Sequence, residues 1–419
     1  MKQRPDLLAK DAPKGAEVFQ LTEEGIPSSH IYMEAQIFTP DSRRFVLHRS
    51  ANSHGSDKSD PEHRYLLCDL ENNGALSPLT DETGATAPSV SPDGAWMYYF
   101  VNETGVNTGR LTLKRVRLDG TARETLTVID SPPTGAAAPP SQVYPLSTIS
   151  SDGKRLALSA FFGDGQTEGL PFGLMVFDLE RAAVSVVHTG PTWLNMHPQY
   201  CRSTGPDAAH DILVQENHGS EYTKDGSCTL LVGGEGADIH IIRDDGSNFR
   251  NLPWGRDGNE FCQGHQCWRG TSTSAITSTS VRDTGYCELI QSEPVPFAGH
   301  VGLATPGGQR NILSRVFPKP AFCHFATDIA GQRMITDARI GNTWLLYTAQ
   351  FGPAPGDPLH NWQFILDSRS DFTKKGSHIH PFLSPDGSKG FFNSDESGVL
   401  QAYMVNFGDT ILNSDHEVS

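Results

Sequence analysis

The chain has 419 residues with a formal net charge of −16 at pH 7, 41 glycines, 28 prolines and only 20% charged residues. A phosphate-rich partner needs a basic footprint, so this balance argues against nucleic acid, whereas a small anionic ligand needs only a local positive patch. No apolar run approaches a membrane span, residues 1–6 lead into no apolar segment, and the seven cysteines lack paired metal spacing, Cys262 and Cys267 lying closest; a cytoplasmic protein with reduced thiols and no membrane partner is expected.

In chain order, residues 1–12 read as a tail and residues 16–22 (Ala-Glu-Val-Phe-Gln-Leu-Thr) as a strand with no unit of its own. A turn signal then recurs, each time ahead of an apolar run. It appears as Thr39-Pro40-Asp41 before Phe45, as Ser91-Pro92-Asp93-Gly94 before Trp96, as Ser151-Asp152-Gly153 before Leu156 and as Gly205-Pro206-Asp207 before Ile212. A degenerate copy spans 270–274, followed by Asp328-Ile329-Ala330-Gly331 before Met334 and Ser384-Pro385-Asp386-Gly387 before Phe391. Proline presets φ, and Asp-Gly allows the tight reversal. The copies recur at about 50–65 residues, the spacing of propeller blades with loop insertions.

Each copy leads into a further strand pair, such as 65–70 turning at Asn72-Asn73-Gly74. The seventh unit stops at 400–407 without a last strand, which residues 16–22 can supply. The expected fold is therefore all-β, a seven-bladed β-propeller over 13–407 with an N-terminal strand closing the last blade and a polar tail at 408–419. Two unrelated β-sandwiches are the alternative.

In a propeller the strand just before each turn lines the central channel. Six of the sixteen histidines fall in the ten residues before a turn: His30, His197, His265, His324, His378 and His380. That is about twice an even spread, and imidazoles from several blades can converge on one axis to hold a metal or move protons. Any single one could instead be a structural histidine bonded to a neighbouring blade. Ser377-His378-Ile379-His380-Pro381 puts two imidazoles on one face of an extended segment, and with His324 they make a candidate metal site with open positions, suited to Mn, Fe, Ni or Zn. Trp193, Tyr200 and Trp268 lie beside candidate histidines and could stack on a sugar ring, although aromatics that pack blades are common. No Gly-x-Ser-x-Gly elbow or P-loop is present, which argues against a serine hydrolase or nucleotide site.

The seventh unit from Ser377-His378-Ile379-His380-Pro381 through Asp395 and Tyr403 resembles the closing blade of oligogalacturonate lyases. Phe322-Cys323-His324 resembles that family's Cys-Ser-His, and 261–268 with His265 its Cys-Thr-His-Glu-Phe-Trp. Trp193-Leu194-Asn195-Met196-His197-Pro198 is similar to its Trp-Leu-Gly-His-Pro, and His30-Ile31-Tyr32 to its first inner strand. The resemblance implies β-elimination on short pectic oligosaccharides, with a divalent metal, Mn2+ above all, in a seven-bladed propeller. It further implies His324, His378 and His380 as metal ligands and His265 as the base. Lys375 stands where the family has a glutamine ligand, and Asp238-Ile239-His240 stands about where it has an arginine.

Elimination from a uronide removes the C5 proton and expels the C4 oxygen, so a cation must stabilise the charge that builds on the carboxylate while a neutral base takes the proton. Lys375, Arg202 and Arg269 are the candidates for added positive charge, with Lys375 counted as catalytic. The expected substrate-binding residues are His30, His197, Tyr200, Arg202, Trp268 and Arg269, and the expected partner is a small anionic oligosaccharide. Two alternatives are a lyase or epimerase on another uronic-acid glycoside, with Lys375 replacing the metal, and a non-catalytic protein-binding propeller.

Overall fold

The recurrent turn is a small hydrogen-bonded bracket. Ser91 Oγ donates to Asp93 Oδ1 (2.5 Å) and accepts from the Trp96 amide (3.0 Å), closing the hairpin from inside. The same pair of bonds joins Ser150 to Asp152 and Arg155, Ser384 to Asp386 and Lys389, and Thr39 to Asp41 and Arg44. The fourth position is left-handed, at φ +69° for Gly94, +72° for Gly153 and +69° for Gly387, with Ser42 taking it at +60° in the first copy. In the sixth copy Asp328 alone accepts the Gln332 and Arg333 amides at 2.8 and 2.9 Å.

The computed structural model describes residues 1–408 apart from 24, 56–58, 235, 254–259, 282, 283, 285, 297–309, 355 and 372. The brackets punctuate seven antiparallel sheets of four or five strands, the blades of a β-propeller. The first strands, which line the channel, are Ser29–His30, Ala85–Val90, Ser147–Ile149, Gln199–Tyr200, Glu260–Trp268, Phe322–Thr327 and Phe382–Leu383. Blade four also carries a two-stranded ribbon, Glu221–Tyr222 with Cys228–Leu230. Three single 3-10 turns are the only helical elements among the described residues, and none is long and apolar enough to cross a membrane. The expected tail at 408–419 lies, beyond Gly408, outside the described residues.

Blade seven is closed by the N-terminus. Glu17–Gln20 pairs antiparallel with Gln401–Asn406, in the register Glu17↔Asn406 to Gln20↔Tyr403. This removes an unpaired sheet edge. The stretch 1–12, expected as a tail, is itself tied down. Lys2–Gln3 adds a fifth strand outside Glu17–Gln20. Arg4 forks onto Glu396, which also accepts the Tyr403 hydroxyl at 2.8 Å, and the Ala9 amide donates to Ile365 of blade six at 2.9 Å. The seam between blades seven and one is filled by Phe38, Phe45, Phe382 and Phe391, with the Phe382 and Phe391 rings stacked at 5.2 Å.

Candidate metal centre and catalytic chamber

Four imidazoles meet at the channel end opposite the turns. Ligand-capable atoms of His54, His324, His378 and His380 all lie within 4.8 Å of one another. His324 belongs to blade six and His378 and His380 lead into blade seven, whereas His54 comes from the loop that follows the second strand of blade one. Two of them, His324 and His380, arrive by an irregularity. The inner strand of blade six skips register between Phe322 and Phe325, swinging Cys323-His324 out opposite Asp337. His380 has φ +42°, a conformation uncommon for a non-glycine residue and concentrated at functional sites.

The outer hydrogen bonds fix which ring nitrogen faces inward. Asp337 Oδ2 accepts from His324 Nδ1 (2.6 Å) while its Oδ1 takes the Cys323 and His324 amides. The Ser53 carbonyl accepts from His380 Nδ1 (3.0 Å). With Nδ1 protonated in both, the Nε2 lone pairs point into the cluster, the usual outer support of a metal-binding histidine. His54 Nδ1, His378 Nδ1 and His380 Nε2 are buried without a hydrogen-bond partner among the described residues. Orphaned buried acceptors of this kind on three rings, converging with His324, fit a cation.

Burial depresses these histidines, helped in His54, His324 and His380 by repulsion from neighbouring imidazoles: His54 to about 2, His324 and His380 well below the ordinary value, and His378 below it. They are neutral donors at neutral pH. Burial pushes Asp337 the other way, to about 7, and a cation on the far side of the His324 ring would favour its ionised form.

His265 stands beside this cage, its ring 4.6 Å from that of His324, with Cys323 Sγ near both. A bulge puts it there: Cys262 pairs with Thr279 and Gln266 with Thr277, so three residues oppose one. Gly264 in that bulge has φ +80°, and a Cβ there would come within 2.3 Å of the Gln215 amide, so any other residue would be strained. His265 is also held well below its ordinary pKa, chiefly by burial. His197 (φ +49°) completes the chamber, bonded through Nδ1 to Glu34 Oε2 at 2.8 Å. Burial raises the Glu34 carboxyl pKa.

Tyr32 sits on the axis, its ring within 6.4 Å of His54, His197, His324 and His380, rings from four blades. The chain turns there, with the Ala35 amide on the Tyr32 carbonyl, and Gln36 reaches blade three through both polar atoms to Ile149. Residues 32–36 thus cross the channel as a bar, with Tyr32 and Glu34 towards the histidines.

Of the residues singled out in the sequence, the structure brings together His197, His265, His324, His378 and His380, with Lys375 exposed on the turn just before His378. The others lie elsewhere. His30, expected at the substrate, is enclosed in the seam of blades one and seven, bonded to the Tyr403 carbonyl (2.8 Å) among Phe45, Phe382 and Phe391. Tyr200 is buried and donates to Asp244, and Trp268 is buried and donates to the Gln199 carbonyl. Arg269 is tied to Gly331 and Gln291 over the Phe351 ring, and Arg202 lines the other end of the channel. Trp193 packs with His188 and His240, whose Nε2 bonds Glu216 at 3.1 Å. His54, Tyr32, Glu34, Asp337 and Trp344, whose ring lies 5.3 Å from that of His378 and 5.8 Å from that of His324, are the chamber residues that sequence reasoning missed.

No sequence family matches the chain, and no curated protein matches it. In fold it is similar to an oligogalacturonate lyase in complex with manganese, at TM-score 0.69 and 18% identity over 99% of this chain and 98% of that one. An oligogalacturonate lyase from Vibrio parahaemolyticus follows at TM-score 0.68 and 17% identity, with 98% of each chain covered. A prolyl endopeptidase is similar at TM-score 0.52 and 13% identity, over 92% of this chain and 51% of that one. The class defined is thus the seven-bladed β-propeller.

Proposed function

We propose that the protein is a lyase that cleaves uronic-acid-containing oligosaccharides, of the oligogalacturonate type, by β-elimination in the histidine chamber. The observation that carries this reading is the pairing of a cage of neutral imidazoles (His54, His324, His378, His380) with a separate neutral imidazole, His265, beside it. A divalent ion held by that cage, Mn2+ by preference, would supply positive charge next to the uronide carboxylate.

The chain's own part follows from the chemistry. His265, uncharged at neutral pH, takes the C5 proton; the C5–H electron pair becomes the C4=C5 double bond as the C4–O bond breaks, and the leaving oxygen collects a proton. Asp337 and the Ser53 carbonyl hold the His324 and His380 rings in place. Glu34 orients His197 on the opposite wall, where it can meet a sugar hydroxyl. Lys375 at the rim adds a positive charge to attract an acidic sugar into a protein of net charge −16.

Lys375 also motivates a second reading: a lyase or epimerase on another uronic-acid glycoside, with its ammonium at the carboxylate. Both readings are tested by metal analysis of the purified protein, then by following unsaturated-uronide absorbance with oligogalacturonate and other uronides. Metal-dependent growth of the band on oligogalacturonate supports the first reading. Growth only on another uronide, undiminished by chelation and lost in Lys375→Ala, supports the second.

A further inference from the structure

The opposite end of the channel holds a feature that the chamber does not use. Beyond the bar of residues 32–36 lies a cavity of about 480 Å3 walled by inner-strand ends and turns from all seven blades. Its size falls in the range of about 300–1,000 Å3 usual for small-molecule sites. Most of the wall is apolar, with Met33, Ile37, Val90, Ile149, Phe382 and Leu383 prominent.

Set into this wall is Arg202. Its counterpart one blade on, Arg269, satisfies its guanidinium on Gly331 and Gln291. Arg202 makes no hydrogen bond or ion pair with any described residue. The nearby carboxylates are already engaged: Asp386 accepts from Ser384 and Ser388, and Asp328 from the Gln332 and Arg333 amides. Arg202 is only partly buried, so its guanidinium is reachable from the cavity, while its largely apolar surroundings disfavour a charge held without a partner. A ligand carrying one negative charge at the end of an apolar body would complete the site.

We propose that this turn-side cavity is a second ligand site, separate from the chamber, that takes a small organic anion with an apolar body, such as a medium-chain carboxylate, through the Arg202 guanidinium. A fork of guanidinium donors matches a carboxylate, and the apolar wall matches a hydrocarbon chain. The bar at Tyr32 to Gln36 keeps the two ends apart, so the sites fill independently.

The test is calorimetric titration of the full chain with octanoate and with octanol. One octanoate is expected per chain, with Arg202→Leu weakening it at least about tenfold while leaving octanol unchanged, as removal of a charge-assisted pair requires. Thr271→Trp, at an exposed lining position, should block octanoate by filling the mouth, and it decides the matter if Arg202→Leu does not fold. His380→Ala should bind octanoate as the wild type does. Wild-type protein that takes up no octanoate at millimolar concentration, full binding by either Arg202→Leu or Thr271→Trp, or loss of binding in His380→Ala would each overturn the proposal.

Discussion

The His54 ring of blade one stands edge-on to His380 of blade seven, with centroids 4.3 Å apart, and the carbonyl just before His54 takes the His380 Nδ1 proton. The imidazole cage is therefore assembled across the closure of the ring of blades, and it exists only when the first and last blades meet. His54→Ala should weaken binding of Mn2+ at least about tenfold, judged against the 10–100-fold cost of losing even an outer support. His54→Gln, which offers an amide oxygen donor in place of the imidazole nitrogen, should lose less. Titration with the metal alone checks this; equal affinity in wild type and His54→Ala would remove His54 from the ligand set.

The same closure depends on the first residues of the chain. Arg4→Ala should cost about 1–3 kcal/mol, because Glu396 is left largely buried without its cation. Deleting residues 1–8 should lower the melting temperature further by stripping the fifth strand, and deleting 1–22 should cause aggregation by exposing the edge at Gln401–Asn406. A 1–22 deletion that stays monomeric and melts like the whole chain would contradict the closure.

Much of this was legible in the sequence, for reasons that differ by residue. The brackets at Ser91 and Ser384 are local, a side chain closing its own hairpin, so they repeat visibly and count the blades. Position just before a bracket marks an inner strand, which located His324, His378 and His380. What it cannot tell is which way a side chain points. His30 and Trp268 sit on inner strands but turn into inter-blade seams, while bulges at Gly264 and Cys323 redirect His265 and His324 to the axis. His54 lies in a loop that carries no periodicity and reaches the cage only through ring closure. The strand at Lys2–Gln3 is too short to leave a pattern.

Acid should weaken the fold. His30 is enclosed, and burial lowers its pKa to about 4, against the ordinary 6.5 it regains on unfolding. Above 6.5 neither state binds the proton; below it the unfolded chain does so first, so stability falls as pH drops from 6.5 towards 4, by up to about 3 kcal/mol for this group. Denaturant midpoints at several pH values check the slope. His30→Gln should be less stable at neutral pH but lose less on acidification; an unchanged slope would assign the acid sensitivity to other groups.

The same logic sets the pH profile of turnover. A base works unprotonated, and with the His265 pKa pushed well down by burial, the rise in rate with pH should be complete before neutrality.

The most direct measurement is turnover and metal content taken together on His265→Ala. With oligogalacturonate as substrate, the account predicts a folded variant with the wild-type complement of metal and a rate of unsaturated-uronide formation lower by about 10²–10⁴, because the ring acts on the proton and not on the ion. A folded, metal-replete His265→Ala protein that forms product at the wild-type rate would contradict it.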